Sequence, residues 1–465
     1  MAFLKRHLPW LILIIMTLAV SSSVLLYSIS AGIFAAPSFH FLPQQKNSEP
    51  PLLDDSGSPV AIIAPPLTHI ALEPEETLPT QVLLPQEMRG VWIATVLNID
   101  FPQIKGDSEA QKKELIAILD TVQATFLNTV FFQVRPQGDA LYRSQIFPWS
   151  EYLTGNAGED PGYDPLAFII EQAHQRGLAL HAWINPYRLT MGSQDAPQNT
   201  VDSLNAASPV KNRPDLTLSA GDGRLYLNPG EPEALALVLA GIREILENYE
   251  VDGLHLDDYF YPPDPNYDDS ISYAKYAEDL PLAEWRRANT QTLIAQIQAL
   301  IKETRPQAAF GVSPSGIWRN SKNSPLGSAT NGFESYAQIY ADTRNWVKEG
   351  LVDYIAPQLY WAIGKNGSDY ETLIQWWLEV CHDTNVRLFI GQGAYRVGSL
   401  GEEAWATAEE IERQLALNRK LGLTGSIFYG YRQIKENTQG LQELLQKLYA
   451  KPAPAPLTAP VHDFN

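Results

Sequence analysis

Asp257 and Asp258 end a short apolar run in which Leu254 and Leu256 alternate with His255 and Asp257. In a strand, this alternation turns the leucines toward one side and the polar pair toward the other. Because long helical patterns flank the run, we expect a buried strand whose polar side faces a barrel interior or a cleft. Burying such groups without a purpose is costly. We therefore interpret them as a working site, with a structural ion pair as the alternative.

Adjacent carboxyl groups in a cleft suit acid–base chemistry on a sugar. Glycoside hydrolysis normally uses two carboxyl groups, one as the acid and one as the base or nucleophile. The alternation places Asp257 inside, whereas Asp258 reaches the same side only if the chain turns at the strand end. In substrate-assisted variants, a 2-acetamido group of the sugar is the nucleophile instead. Loop candidates for a second carboxyl group are Asp139, Glu151, Glu334 and Asp342.

Other chemistries find less support in the residues. His181 and His255 are the two histidines predicted to face inward, and with Asp257 they would make one metal site, but zinc sites more often draw on several histidines or cysteines. Ser313 and Ser315 lack the strand–turn–helix setting of an activated serine. No glycine-rich phosphate loop follows the first predicted strand. The sequence thus implies no metal and no cofactor.

Strand-like and helical patterns alternate along most of the chain. Apolar runs fit buried strands at residues 89–96, 129–135, 179–187, 251–258, 308–315, 353–361, 386–395 and 424–431. Amphipathic helical patterns follow them at residues 108–124, 165–176, 232–249, 282–303, 335–349, 370–382, 404–421 and 438–449. Strict alternation implies a parallel sheet, and eight units are what an α/β fold of the (β/α)8 TIM-barrel type requires. A doubly wound open sheet is the alternative.

In such a barrel, the polar inward residues collect toward the carboxyl ends of the strands, where barrel enzymes bind their substrates. This inward set is Gln133, Arg135, His181, Trp183, Asn185, Tyr187, Gln358, Tyr360 and Tyr395. Further binding candidates at the same end are Asp139, Tyr259, Trp318 and Trp361, and Trp92 is another ring that could stack on a substrate. Amide groups and aromatic rings around a carboxylate suit a polyhydroxylated sugar, because rings stack on its faces while polar groups bond its hydroxyls.

Charge and targeting features define the setting of this domain. The net charge is −19, and no basic cluster follows the first few residues, which argues against a nucleic-acid partner. Lys5 and Arg6 precede an apolar segment at residues 9–36, so residues 1–36 are predicted to be either a cleaved export signal or a membrane anchor. A Pro-rich linker is predicted at 37–87 and a flexible tail at 451–465, leaving 88–450 as the barrel. Both alternatives place the barrel in the periplasm or elsewhere in the cell envelope.

Six motifs in chain order resemble those of the glycosyl hydrolase-like family 10, a family of bacterial barrel proteins. They lie at residues 89–95, 135–142, 182–188, 252–262, 311–320 and 356–361, each at the end of a predicted strand. The resemblance covers nearly the whole predicted barrel. It implies an exported hydrolase of cell-wall glycan, similar to divisome-associated enzymes that cut peptidoglycan strands stripped of their peptides.

The resulting hypothesis is a glycosidase acting on N-acetylhexosamine-containing wall glycan by retaining or substrate-assisted chemistry. Asp257 is the expected principal carboxylate, Asp258 transfers a proton or positions the substrate, and His255 orients them. Tyr360 is expected to help in this orientation. The sugar is expected to contact Arg135, Asn185, Tyr187 and Gln358. The rival hypothesis is a tethered glycan-binding module without turnover; a polysaccharide deacetylase would need a metal cluster that is not evident here. The sequence carries no signal for an oligomeric state.

Overall fold

Eight parallel strands, β1 to β8, form a ring in the part of the chain that the computed structural model describes, residues 86–191 and 200–456. Two of them, β6 and β7, are each interrupted by one or two residues. The bounds are Met88–Ile93 (β1), Thr129–Arg135 (β2), Ala179–Ile184 (β3), Gly253–Leu256 (β4), Ala309–Val312 (β5), Tyr354–Ile355 with Gln358–Leu359 (β6), Arg387–Leu388 with Ile390–Gln392 (β7) and Gly425–Phe428 (β8).

The ring closes because each strand pairs with its neighbours in chain order and the last pairs with the first. Met88 lies opposite Gly425, which joins β1 to β8. Both segments of β6 pair in parallel with β7, and β7 pairs in parallel with β8. The predicted (β/α)8 barrel is therefore confirmed, and the open doubly wound sheet is wrong.

Large side chains fill the interior of the barrel, and a glycine makes room for one of them. Trp92, Phe131 and Tyr354 pack together inside, whereas outward residues of the same strands, such as Val130, join a larger core beneath the helices. A Cβ atom on Gly311 would lie 2.0 Å from the Tyr354 ring. Because interiors are close-packed, only glycine fits at that position.

Helices cover the outside of the ring, and eight of them are numbered here α1 to α8. Their bounds are Ser108–Ala124 (α1), Pro165–His174 (α2), Pro232–Asn248 (α3), Leu282–Thr304 (α4), Thr343–Lys348 (α5), Tyr370–Cys381 (α6), Glu409–Lys420 (α7) and Leu441–Tyr449 (α8). Aspartate side chains accept hydrogen bonds from first-turn backbone N–H groups of four helices, which stabilises their starts. These caps are Asp107, Asp164, Asp342 and Asp369.

The single helix predicted at residues 335–349 is wrong, because the structure breaks it in two. One turn at Ser335–Gln338 is followed by Tyr340, whose φ is 54°. This left-handed conformation ends the first helix. Asp342 then starts α5 by accepting the backbone N–H of Asn345 at 3.2 Å. At the break, the Tyr340 hydroxyl accepts a hydrogen bond from Nη1 of Arg286 at 2.7 Å.

The connections that follow the strands carry short elements beyond those predicted. Helical turns lie at Glu151–Thr154, Ser270–Tyr276 and Tyr431–Lys435. In the long β3–α3 connection, an antiparallel hairpin pairs Thr217–Ser219 with Leu225–Leu227. These elements build up the rim at the carboxyl end of the barrel, where a substrate would enter.

The amino-terminal end of the barrel is crossed by residues 451–456. Nη1 of Arg89 donates to the carbonyl oxygen of Lys451 at 2.7 Å, and Nη1 of Arg387 donates to that of Pro456 at 2.7 Å. The first part of the predicted tail is therefore bound to the barrel. The rest of that tail, the predicted signal or anchor and nearly all of the predicted linker lie outside the described residues. Among the helices that are described, none combines the length and apolar character needed to cross a membrane.

Deleting residues 451–465 is expected to lower the thermal stability, whereas deleting 457–465 should leave it unchanged. The longer deletion removes one acceptor from Arg89 and one from Asn128, whose Nδ2 donates to the carbonyl oxygen of Ala453 at 3.2 Å. Each buried donor left without a partner costs about 1–3 kcal/mol. Circular dichroism during heating measures the midpoints, with an expected difference on the order of 5 °C. Equal midpoints for both deletions would contradict this role.

Candidate active site

The carboxylate of Asp257 lies at the carboxyl end of β4 among hydrogen-bond donors. Nδ2 of Asn185 donates to its Oδ2 at 2.6 Å, and Nε1 of Trp183 donates to the same oxygen at 3.2 Å. The backbone N–H of Tyr259 donates to Oδ1 at 3.1 Å. Burial raises the pKa of Asp257 to about 6, although the charge of Arg188 and these hydrogen bonds oppose the rise. Asp257 is thus a buried carboxyl group that accepts hydrogen bonds from three donors.

A chain of amides determines which group Asn185 presents to this carboxylate. Nε2 of Gln133 donates to Oδ1 of Asn185 at 2.7 Å. Oε1 of Gln133 accepts the backbone N–H groups of Thr95 and Val96 at 2.9 and 3.0 Å. Because those backbone groups only donate, they orient the Gln133 amide, which in turn orients Asn185. Asn185 therefore offers its NH2 group to Asp257.

Asp258 follows Asp257 directly, just after the carboxyl end of β4. The residue is partly exposed, and hydrogen bonding by the side chain of Gln358 from β6 acts to lower its pKa. Nε2 of Gln358 also donates to the carbonyl oxygen of Ser313 at 2.9 Å, which holds the amide in place. Burial and the adjacent charge of Asp257 raise the pKa of Asp258 to about 7. Near neutral pH, the pair of acids therefore retains a proton for part of the time.

Arg188 is a cation beside the two acids, and it is held firmly. Its side chain is buried, its Nε donates to the carbonyl oxygen of Pro136 at 2.9 Å, and its guanidinium carbon lies 4.7 Å from the centroid of the Tyr259 ring. Its charge lowers the pKa values of Asp257 and Asp258, partly offsetting their burial. Sequence reasoning did not assign Arg188 a role, because it follows β3, where the two-residue alternation no longer applies.

Three tyrosines at the ends of β6, β7 and β8 form what we call the tyrosine wall: Tyr360, Tyr395 and Tyr429. The rings of Tyr360 and Tyr429 stack with centroids 5.9 Å apart and an interplanar angle of 15°. Tyr395 meets these two rings edge-on at 5.6 and 5.7 Å. All three side chains are partly exposed. The pKa of Tyr360 is raised well above its usual value, mainly by burial, then by the other two tyrosines, and then by the charges of the acid pair. The wall thus borders the acids, and Tyr429 is a member that sequence reasoning missed.

His255 lies on the same strand as Asp257 but deeper in the barrel, and it is fully buried. Its Nε2 accepts Nε1–H of Trp92 at 3.1 Å and lies 2.9 Å from Oγ of Ser313, while its Nδ1 lies 2.9 Å from the hydroxyl of Tyr354. Burial lowers the pKa of His255 well below its usual value, so the ring is neutral near pH 7. These contacts face Trp92 and Tyr354, and a catalytic role for His255 stays a prediction.

The metal site considered from His181, His255 and Asp257 does not form. Nδ1 of His181 lies 3.0 Å from the Tyr354 hydroxyl, the nitrogens of His255 are engaged as described, and Asp257 is bound by Asn185. Across residues 86–191 and 200–456, no group of three or more His, Cys, Asp or Glu side chains is placed to hold a metal ion.

Arg135 and Tyr187, both predicted to face inward, lie outside the barrel interior. β2 carries an extra residue between Gln133 and Arg135, and this bulge turns Arg135 toward the helices. Its guanidinium carbon lies 4.5 Å from the centroid of the Phe147 ring, and its Nη2 donates to the carbonyl oxygen of Pro186 at 2.7 Å. Tyr187 follows the end of β3 and is fully buried in the main core. The inward orientation predicted for these two residues is wrong.

Of the four loop carboxylates considered as a second catalytic group, two are bound to other groups. Oε1 of Glu334 accepts the backbone and side-chain nitrogens of Asn320 at 2.8 and 2.5 Å. Asp342 caps α5. Asp139 is buried in the β2–α2 connection, where burial raises its pKa to about 6. Glu151 is exposed at the first position of a helical turn. A catalytic role for any of these carboxyl groups, including the acid pair that follows β4, stays a prediction.

Two tryptophans predicted as binding residues have their rings engaged elsewhere. Nε1 of Trp318 donates to Oδ1 of Asp342 at 2.9 Å, and its ring stacks on that of Trp376 with centroids 5.9 Å apart. Trp361 is partly buried against the main core. A sugar contact for Trp318 and Trp361 therefore stays a prediction, as it does for Asp139.

The sequence matches the model of the glycosyl hydrolase-like 10 family over residues 87–407. The chain belongs to this family. It is 44% identical over 380 residues to the glycosyl hydrolase YngK of Bacillus subtilis, covering 80% of this chain and 73% of that protein. It is also 41% identical over 365 residues to the glycosyl hydrolase DigH of Escherichia coli K12, covering 74% of this chain and 83% of that protein.

A solved structure with a similar fold is the glycoside hydrolase domain of PgaB (BpsB) from Bordetella bronchiseptica. The TM-score is 0.51, with 14% sequence identity, and the match covers 78% of this chain and 99% of that domain. At this identity, the likeness concerns the fold alone. This member of the glycosyl hydrolase-like 10 family thus has the barrel fold of a glycosidase, with the acid pair at the end where barrel enzymes bind substrates.

Replacing Asp258 by asparagine is expected to stabilise the protein near pH 8 and to have little effect near pH 4. The pKa of Asp258 is about 7 in the folded protein against 3.8 as the unperturbed value. Between these values the folded state binds the proton more tightly than the unfolded state, so the wild type loses stability as the pH rises through this window. The gain near pH 8 should be on the order of 1–3 kcal/mol.

Urea unfolding at both pH values measures this difference, with Asp120→Asn as the control. Asp120 is an acid on the surface, where its side chain is 58% exposed, so its replacement removes one carboxyl group far from the site. A variant Asp258→Asn that is equally stabilised or destabilised at both pH values would contradict the expected linkage.

Proposed function

We propose that this protein is an exported glycoside hydrolase that cleaves glycosidic bonds in bacterial cell-wall glycan. The observation that carries the proposal is the pair Asp257 and Asp258, two acids with different hydrogen-bond partners in one cleft at the carboxyl end of β4. Family membership supports glycoside hydrolysis. The resemblance to hydrolases of wall glycan and the predicted export segment support the substrate and the location.

In the proposed mechanism, Asp258 is the general acid. Its pKa of about 7 means that a substantial fraction of the carboxyl group is protonated at neutral pH, as proton donation to a glycosidic oxygen requires. The amide of Gln358 positions this group. After the first sugar leaves, the ionised Asp258 can take a proton from the attacking water, so the same residue acts first as acid and then as base.

Asp257 supports the substrate's own nucleophile in this proposal. Three donors hold its carboxylate, and the loop carboxylates Glu334 and Asp342 are bound to other groups. We therefore assign the attack to the acetamido oxygen of the substrate. This oxygen bonds to the anomeric carbon as the glycosidic bond breaks, and the ionised Asp257 stabilises the positive charge on the resulting ring. Water then opens the ring with retention of configuration.

Asp257→Asn and Asp258→Asn are each expected to reduce glycan cleavage at least about a hundredfold. The first change removes the charge that stabilises the transition state, and the second removes the transferable proton. Mass spectrometry of soluble fragments from purified peptidoglycan and from peptide-free glycan strands measures cleavage, with Asp120→Asn as the matched control. Binding to the glycan without fragments from the wild type would contradict turnover and support the glycan-binding module.

Removing the N-acetyl groups from the glycan strands is expected to abolish cleavage. Without the acetamido oxygen the proposed nucleophile is absent, whereas a carboxylate nucleophile would still react. Reducing ends released from acetylated strands, de-N-acetylated strands and chemically re-acetylated strands measure this dependence. Cleavage of the de-N-acetylated strands at an undiminished rate would show that an enzyme carboxylate is the nucleophile.

A further inference from the structure

Four polar rings form a connected chain in the barrel interior below Asp257: Trp92, His255, Tyr354 and His181. Trp92 and His255 are joined by a hydrogen bond of 3.1 Å, and the Tyr354 hydroxyl lies 2.9 Å from Nδ1 of His255 and 3.0 Å from Nδ1 of His181. None of the four rings is more than 2% exposed. Polar groups at this depth need a defined set of partners.

The indole N–H of Trp92 determines which atom is the donor in each hydrogen bond of this chain. The indole N–H of Trp92 can only donate, so Nε2 of His255 must accept. Since the imidazole is neutral, its proton lies on Nδ1 and is donated to the oxygen of Tyr354. The Tyr354 hydroxyl then donates to Nδ1 of His181. Nε2 of His255 is thus the acceptor for Trp92, with Oγ of Ser313 as a second neighbour at 2.9 Å, and its proton lies on the other nitrogen.

Close packing prevents these rings from changing partners. A Cβ atom on Gly253 would lie 2.4 Å from the His181 ring, and one on Gly311 would lie 2.0 Å from the Tyr354 ring. The rings of His255 and Tyr354 are nearly parallel, with an interplanar angle of 11°. A rotation of His255 that brought its Nε2 toward the carboxylates would leave the indole N–H of Trp92 buried without a partner.

Trp92 connects this buried chain to the tyrosine wall. Its ring meets that of Tyr429 edge-on, with centroids 6.4 Å apart. On another side, its Cη2 lies only 3.2 Å from the position of a Cβ atom on Gly391 in β7. Tyr429 in turn stacks on Tyr360. The orientation of the Trp92 indole therefore determines where the inner edge of the wall can lie.

We propose that His255 is a positioning residue: it holds the Trp92 indole so that Trp92 supports the tyrosine wall against the bound sugar, and it exchanges no proton with the substrate. This role rests on the proposed function, because it assigns the wall to sugar binding in that cleft. It differs from the catalytic role that the sequence pattern suggested for His255.

Four variants of the full chain separate the two roles. Trp92→Phe removes the donor and keeps a ring, and His255→Leu removes the acceptor. The double variant removes both. His255→Gln is the conservative variant, because its side chain retains an acceptor but cannot ionise. Steady-state cleavage of glycan strands across the pH range gives kcat, KM and the pH profile of each protein.

His255→Leu and Trp92→Phe are each expected to lower kcat/KM about tenfold, mainly through KM, because the wall binds the sugar throughout the reaction. The double variant should lose no more than either single variant, since the two residues act as one unit. His255→Gln should recover most of the activity with an unchanged pH profile. Losses that multiply in the double variant, or a missing limb of the pH profile in His255→Gln, would overturn the proposal.

A measurement without turnover keeps this inference separate from the proposed function. The indole N–H resonance of Trp92, assigned as the signal absent from the Trp92→Phe spectrum, is expected to move upfield in His255→Leu and to stay near its original position in His255→Gln. An unmoved resonance in a folded His255→Leu protein would overturn the positioning role even if cleavage is observed. If the resonance moves in His255→Leu but the wild type cleaves no glycan, the Trp92–His255 contact is supported and the proposed hydrolase activity is contradicted.

Discussion

The burial of the Asp257 carboxylate beside a second acid, Asp258, is the constraint on which the rest of the site depends. A buried carboxylate needs donors of defined direction, and Asp257 receives them from β3 and from the chain just after β4. Asn185 is in turn held by the amide of Gln133, which accepts the backbone N–H of Thr95 just after β1. These groups come from different strands, and the closed ring of strands holds them together. The site therefore depends on the fold being complete.

The barrel interior below the acids shows the same principle with neutral groups. Two histidines and a tyrosine share hydrogen bonds there, and burial lowers the pKa values of both histidines. Neutral rings avoid the cost of buried charge while they still satisfy the indole N–H of Trp92. Glycines at positions 253 and 311 provide the space for these rings. A residue whose side chain could act in acid–base catalysis, such as His255, can therefore serve mainly to orient another side chain.

The prediction of inward residues succeeded where the strands are regular and failed where they are not. Gln133, Trp183, Asn185 and Asp257 meet one another as the alternation indicated. Arg135 does not, because the bulge in β2 shifts its direction by one residue. Tyr187 does not, because the chain has left β3 before it. Neither a bulge nor a strand end leaves a clear mark in a pattern of apolar and polar residues.

The sequence by itself determined the alternating strands and helices, the closed barrel as the expected fold, and the acids at the end of β4, because periodicity and helix signals are local properties of the chain. Only the tertiary structure decided that Arg188 and Tyr429 join the site, that Glu334 and Asp342 bind other groups, and that the chain end crosses the barrel. Those outcomes depend on contacts between residues far apart in the chain, whose distances and directions arise only when the strands pair and the ring closes.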